Sequence, residues 1–116
     1  LARQDQKEAY HAALLVRALR EARGEHVVGY KVGFTNRTIL ERYQVFAPIW
    51  GPTWDTTVMH YDGRGKVCLQ RTSLPRLEPE VVFGLSRTPP VDASYDELFD
   101  CLDWITPGFE GSGANR

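Results

Sequence analysis

The sequence predicts an α+β chain: one N-terminal helix, then strands interrupted by short helical turns. Three observations carry this. Ala9, Ala12, Ala13, Val16 and Leu19 recur at helical spacing. β-Branched and aromatic residues crowd into short runs at 26–34, 58–69 and 76–85. Gly24, the DGRG stretch at 62–65 and the TPP stretch at 88–90 punctuate those runs. With 116 residues the chain is long enough for one small domain. We divide it into a helical segment over 1–24, a site-bearing segment over 25–110 and a polar tail over 111–116.

The helix reads DQKEAYHAALLVRALREARG. Asp5 and Glu8 have capping-box spacing and Gly24 is the stop, so the arginines are expected on the outer, solvated face. HVVGYKVGF, residues 26–34, is a strand. Its period of two puts Gly29, Lys31 and Gly33 on one face and Tyr30, Val32 and Phe34 on the other. Two glycines beside a lysine clear space around the ammonium; a sheet-edge lysine that blocks aggregation is the competing reading. TNRTILERYQ offers a short helix, and VFAPIWGPTWDTTV reads as an irregular loop leading into a strand. In that loop Asp55 follows Trp54. Desolvation by the ring would raise its pKa, whereas the plain reading is a turn residue.

VMHYDGRGKVCL, residues 58–69, is expected to form a hairpin, with His60 structural. RLEPEVVFGL is a strand whose Pro79 points to an edge or a bulge. Ser94 and Glu97 cap a second helix, SYDELFDCLDW, with Leu98, Phe99 and Leu102 as its apolar face. ITPGFE and the polar GSGANR follow.

A formal charge of −1 and the lack of a polybasic run give no nucleic-acid footprint. The apolar runs are too short for a bilayer, and no leader pattern is present. Cys68 and Cys101 show no metal-binding spacing and read as buried reduced thiols of a cytoplasmic protein, a disulfide staple being the competing reading.

Glu78 and Glu80 are two residues apart on a strand and so share a face, with Cα atoms roughly 6.5–7 Å apart. Such a pair is either simply solvated or holds a hard divalent cation. GYKVGFTN, WGPTWD, RLEPEVVFGL and CLDWITPGFE occur in one order and at matching spacing. Together they resemble the 2-keto-4-pentenoate hydratase branch of the fumarylacetoacetate hydrolase superfamily. That branch also holds 2-oxo-hept-3-ene-1,7-dioate hydratases and 4-oxalocrotonate decarboxylases.

The resemblance runs from the first helix to Glu110 and implies a curved, barrel-like mixed β-sheet behind helical elements. It implies Glu78, Glu80 and Glu110 as ligands of Mg²⁺ or Mn²⁺, and Lys31 and Asp55 as the proton-transfer residues, with Gly51 opening the aspartate motif. The implied activity is that of a lyase of aromatic catabolism. Water adds to a 2-hydroxy-2,4-dienoate to give a 4-hydroxy-2-oxo acid, the ion stabilising negative charge on the 2-oxygen. The same groups suit decarboxylation of a 2-oxo-dioate or acylpyruvate-type C–C hydrolysis. Two departures stand out. Proline is unusual between the paired ligands, and GSGANR stands where the family continues with an apolar strand. The expectation is therefore a truncated portion of the fold with open sheet edges that favour a homo-oligomer, or else a non-catalytic subunit.

Overall fold

The structure is a computed structural model that describes residues 2–36, 48–69 and 72–115. The chain divides into two compact units, Leu1–Gly63 and Arg64–Arg116. The expected TNRTILERYQ helix lies largely outside the described residues.

The first unit holds helix α1 (Ala2–Ala22) and strands β1 (Val27–Gly33) and β2 (Ile49–Trp54). The helix already includes Asp5, so the Asp5–Glu8 pair is not its N-terminal cap. Ala2, Arg3 and Gln4 are good helix formers, and nothing there stops the helix. Gly24 does end it. At φ +89° it takes the left-handed conformation that glycine adopts without a Cβ penalty. Its N–H donates to the Glu21 carbonyl (2.9 Å) and the Glu25 N–H to the Arg20 carbonyl (3.2 Å), a Schellman closure.

β1 and β2 pair antiparallel, Lys31 facing Gly51 and Val32 facing Trp50, with a bulge at Val28. Across an antiparallel ladder, opposite residues share a face, so Tyr30, Val32, Trp50, Pro52 and Trp54 line one side. The helix meets that side through Tyr10 and through two arginines expected to be outside. Tyr10 stacks on Trp50 at 5.5 Å between centroids, Arg17 donates to the Tyr30 hydroxyl (3.4 Å), and the Arg20 guanidinium lies 4.4 Å from the centre of the Trp54 ring. Arg20 also donates to Glu25 and Thr56. The solvated-arginine expectation is thus corrected for Arg17 and Arg20. A planar guanidinium stacks on an indole while its fork reaches acceptors, so it covers an aromatic face and keeps its hydrogen bonds. Leu15 and Leu19 face away and stand 57% and 68% exposed.

The expected hairpin over 58–69 does not form. The described segment carries no strand, only a bend at 62–63, and almost all of it is exposed. Gly63 supplies the turn at φ +82°, but two short strands with no face to bury are marginal in water. Cys68 is exposed there and Cys101 buried, and both are free thiols. The expectation of a buried thiol therefore fails for Cys68, which sits in that open segment.

The second unit is a long antiparallel ladder of β3 (Thr72–Leu85) and β4 (Leu102–Asn115), joined through the short helix α2 (Tyr95–Phe99). Ser94 caps α2 as expected: its hydroxyl accepts the Glu97 N–H, and the Glu97 carboxylate accepts the Ser94 N–H (2.8 Å). The helix is shorter than the sequence indicates. Cys101 is fully buried, its carbonyl accepting from the Ser86 N–H (2.9 Å), and Leu102 already belongs to β4. That tie to the end of β3 turns the chain out of the helix.

β4 also continues through residues 111–115, which the sequence reads as a tail. Gly111 pairs with Leu77 and Ser112 with Arg76. Small polar residues suffice because the ladder is held by backbone hydrogen bonds to β3. Pro79 lies in regular register with Phe109, and the bulges fall elsewhere, beside Leu74 and Asp103. Both ladders are two-stranded and antiparallel, so no parallel pair forms among the described residues and the expected single mixed sheet is not what they build.

Candidate metal centre

The β3–β4 register decides what the second unit presents. Glu78 lies directly opposite Glu110, and Glu80 opposite Gly108. Arg76, Glu78, Glu80, Val82 and Gly84 of β3 share a face with Ser112, Glu110, Gly108, Thr106 and Trp104 of β4. Carboxylate oxygens of Glu78, Glu80 and Glu110 approach within 4.8 Å of one another. Like charges directly opposite on a ladder are destabilising. Three such groups on one spot are therefore costly by themselves and suit a hard divalent cation, which takes oxygen ligands.

The setting is partly sheltered. Glu80 and Glu110 are half-buried, and Glu78 is exposed. Gly108 leaves its side of the ladder to Val82, whose Cγ2 lies 2.6 Å from where a Cβ would stand. The Trp104 ring lies across Gly84, where a Cβ would overlap it. On the opposite face Leu77, Val81, Phe83, Ile105 and Phe109 are all exposed.

The other two predicted site residues belong to the first unit. Lys31 stands on the face of the β1–β2 ladder away from Trp50 and Trp54, opposite Gly51 and flanked by Gly29 and Gly33. Nothing lies within 4 Å of a Cβ built at Gly51, but Thr53 Oγ1 and an Ile49 side-chain carbon lie 3.1 and 3.6 Å from Cβ positions built at Gly29 and Gly33, so space opens directly opposite the lysine and is filled on either side of it. Asp55 follows β2 in a turn, four residues beyond Gly51, which places it roughly 13 Å along the strand from the lysine's partner.

His26 holds Asp55 at both oxygens. The His26 N–H donates to Oδ1 (3.0 Å) and the ring Nδ1 lies 3.1 Å from Oδ2, while the Asp55 N–H returns to the His26 carbonyl (3.0 Å). The His26 backbone N–H is the main cause that holds the Asp55 carboxyl below its ordinary range, with the imidazole adding to it. A rise through desolvation by Trp54 is overturned: Trp54 turns to Arg20, and Asp55 is exposed.

Two residues of these sites escaped the sequence. His26 gave no signal beyond opening a strand. Ser112, whose hydroxyl donates to Glu78 Oε1 (3.0 Å), sits in the segment read as a tail. A serine two residues beyond Glu110 would have pointed to the site only once that segment was recognised as strand.

The chain is similar to two proteins named as dienoate hydratases and to one named as a 4-oxalocrotonate decarboxylase, the branch that the four motifs resemble. No family model matches. The chain is 33% identical over 109 residues to a 2-hydroxyhexa-2,4-dienoate hydratase of Comamonas testosteroni, covering 90% of this chain and 40% of that protein. It is 30% identical over 104 residues to a 4-oxalocrotonate decarboxylase of a Pseudomonas species, with the same coverage. To a 2-hydroxypent-2,4-dienoate hydratase of Pseudomonas putida it is 31% identical over 81 residues, or 70% of this chain and 36% of the relative. The chain thus spans about two-fifths of the length of the curated relatives it matches.

Proposed function

We propose that this chain carries the metal-binding part of a hydratase that adds water to a 2-hydroxy-2,4-dienoate and yields a 4-hydroxy-2-oxo acid. The observation that carries the reading is the convergence of Glu78, Glu80 and Glu110 in a chain similar to two dienoate hydratases. These three residues would hold Mg²⁺ or Mn²⁺, which supplies stabilisation of negative charge on the substrate's 2-oxygen. Lys31, which faces Gly51 across the ladder, is suited to meet an anionic oxygen of the substrate. Asp55 is the candidate proton acceptor; the His26 contacts orient its carboxylate while lowering its basicity. The parent fold is taken to be the curved sheet of the fumarylacetoacetate hydrolase superfamily.

The test is an absorbance assay of 2-hydroxypenta-2,4-dienoate with Mn²⁺, with Glu80→Ala as control. Metal-dependent loss of the dienoate that Glu80→Ala abolishes is expected; the same rate after chelation refutes the reading. Similarity to a 4-oxalocrotonate decarboxylase favours a second reading with the same carboxylates. Release of CO₂ from a 2-oxo-hex-3-enedioate without hydration of the dienoate would establish it.

The exposed apolar face of the β3–β4 ladder supports self-association, which sedimentation equilibrium tests. No described helix is long and apolar enough to cross a membrane, and the two free thiols fit the reducing cytoplasm in which we place the protein.

A further inference from the structure

Among the described residues, Ser112 makes a direct side-chain bond to one of the three converging carboxylates. It does not sit across from Glu78. Its ladder partner is Arg76, and it reaches Glu78 along the diagonal, where Glu110 already occupies the directly opposite position. The Ser112 hydroxyl donates to Glu78 Oε1 at 3.0 Å, and Ser112 is half-buried. Glu78 is the most exposed of the three acids, and the one whose long side chain would otherwise be least restrained.

We propose that Ser112 is a positioning residue of the metal centre. By engaging Oε1 it makes Glu78 a one-oxygen ligand, and so favours small octahedral cations, Mg²⁺ and Mn²⁺, over Ca²⁺. This rests on the metal reading given above. Hydrogen-bonded partners of ligating carboxylates fix their orientation, and their loss typically costs 10–100-fold in metal affinity. The choice of ion follows from ligand number. Mg²⁺ demands near-ideal octahedral geometry, whereas Ca²⁺ takes six to eight oxygens and gains part of that number from carboxylates that give both oxygens. A Glu78 whose Oε1 lies against a hydroxyl offers Oε2 alone at full strength, which suits the first kind of ion and handicaps the second. The two bulges of the ladder lie outside the 76–84 stretch, so regular strand geometry holds Ser112 in reach of Glu78.

Isothermal titration of the full chain with MnCl₂, MgCl₂ and CaCl₂ in turn tests this on the wild type, Ser112→Ala, Ser112→Thr and Ser112→Val. Threonine and valine share shape and strand preference and differ in the hydroxyl, so they separate the hydrogen bond from folding. Ser112→Ala and Ser112→Val are expected to weaken Mn²⁺ binding about tenfold. Ca²⁺ affinity should change less than Mn²⁺ affinity, so that the Mn²⁺-to-Ca²⁺ preference falls, while Ser112→Thr stays near wild type. Unchanged Mn²⁺ affinity in Ser112→Val overturns the proposal, as does an equal loss for both ions, which would mark a merely structural serine. A wild type that binds Mn²⁺, beside a Ser112→Val variant that binds it equally well, sinks this inference alone. A wild type that binds no divalent ion removes the metal centre and this role with it.

Discussion

Replacing Glu110 by glutamine should change stability in opposite directions with and without a divalent ion. Three carboxylates whose oxygens lie within 4.8 Å of one another form three repelling pairs. At that distance each pair costs about 0.9 kcal/mol in water before screening by salt. Glutamine at 110 removes the two pairs that include that position, about 1.7 kcal/mol before screening and about 1 kcal/mol at physiological ionic strength. In EDTA, Glu110→Gln should therefore melt no lower than the wild type, and up to about 4 °C higher. With Mn²⁺ at a hundred times its Kd the wild type should gain about 2.7 kcal/mol, or roughly 10 °C, and the variant almost nothing. Melts followed by far-UV circular dichroism, in EDTA and in MnCl₂, read both signs. A variant that gains the same Mn²⁺-dependent shift, or melts well below wild type in EDTA, would refute the reasoning. The first result would mean that Glu110 is no ligand, and the second that its charge is structural.

Gly84→Ala places a methyl where the Trp104 ring lies; we expect a red-shifted tryptophan emission and a loss of about 1–3 kcal/mol in urea unfolding, with an unchanged spectrum counting against the stacked ring. The Asp55 carboxyl is held low in the folded state, so its stabilisation is present above the unfolded value near 3.9 and is lost as pH falls through the lower folded value. Asp55→Asn should accordingly lower the urea midpoint at pH 7, with the deficit closing towards pH 3. His26→Ala should keep most of the wild-type acid sensitivity, because the backbone N–H at position 26 remains the main cause; loss of that sensitivity would point to the ring instead. Ser94→Ala removes the cap of α2 and should cost about 1 kcal/mol, read from the same unfolding curves and largely recovered by Ser94→Asp.

Local features were legible because local rules govern them. The Gly24 stop, the Ser94–Glu97 box and the glycine-flanked Lys31 each rest on residues within a few positions of one another, where conformational preference and strand period suffice. The misreadings share a different cause. Arg17 and Arg20 look like solvated charge until an aromatic face is laid beside them. The 58–69 run has hairpin alternation, yet it has no surface to bury and stays open. Residues 111–115 have no strand composition, and they become strand through backbone pairing with residues 72–77. Backbone hydrogen bonds are indifferent to side chains, so composition does not reveal that pairing.

The sequence by itself determined the α+β class, the first strand with its lysine, and the shared face of Glu78 and Glu80, since a period of two needs no partner. Likeness to the hydratase motifs proposed Glu110, but no local rule joins residues 78 and 110. Only the tertiary structure decided that these two stand directly opposite, that Gly108 rather than a larger side chain faces Glu80, and that Ser112 reaches Glu78. The physical reason is register. A slip of one residue in the β3–β4 ladder would send the β4 side chains to the other face, and that choice is made by the whole length of the pairing, not by any one segment.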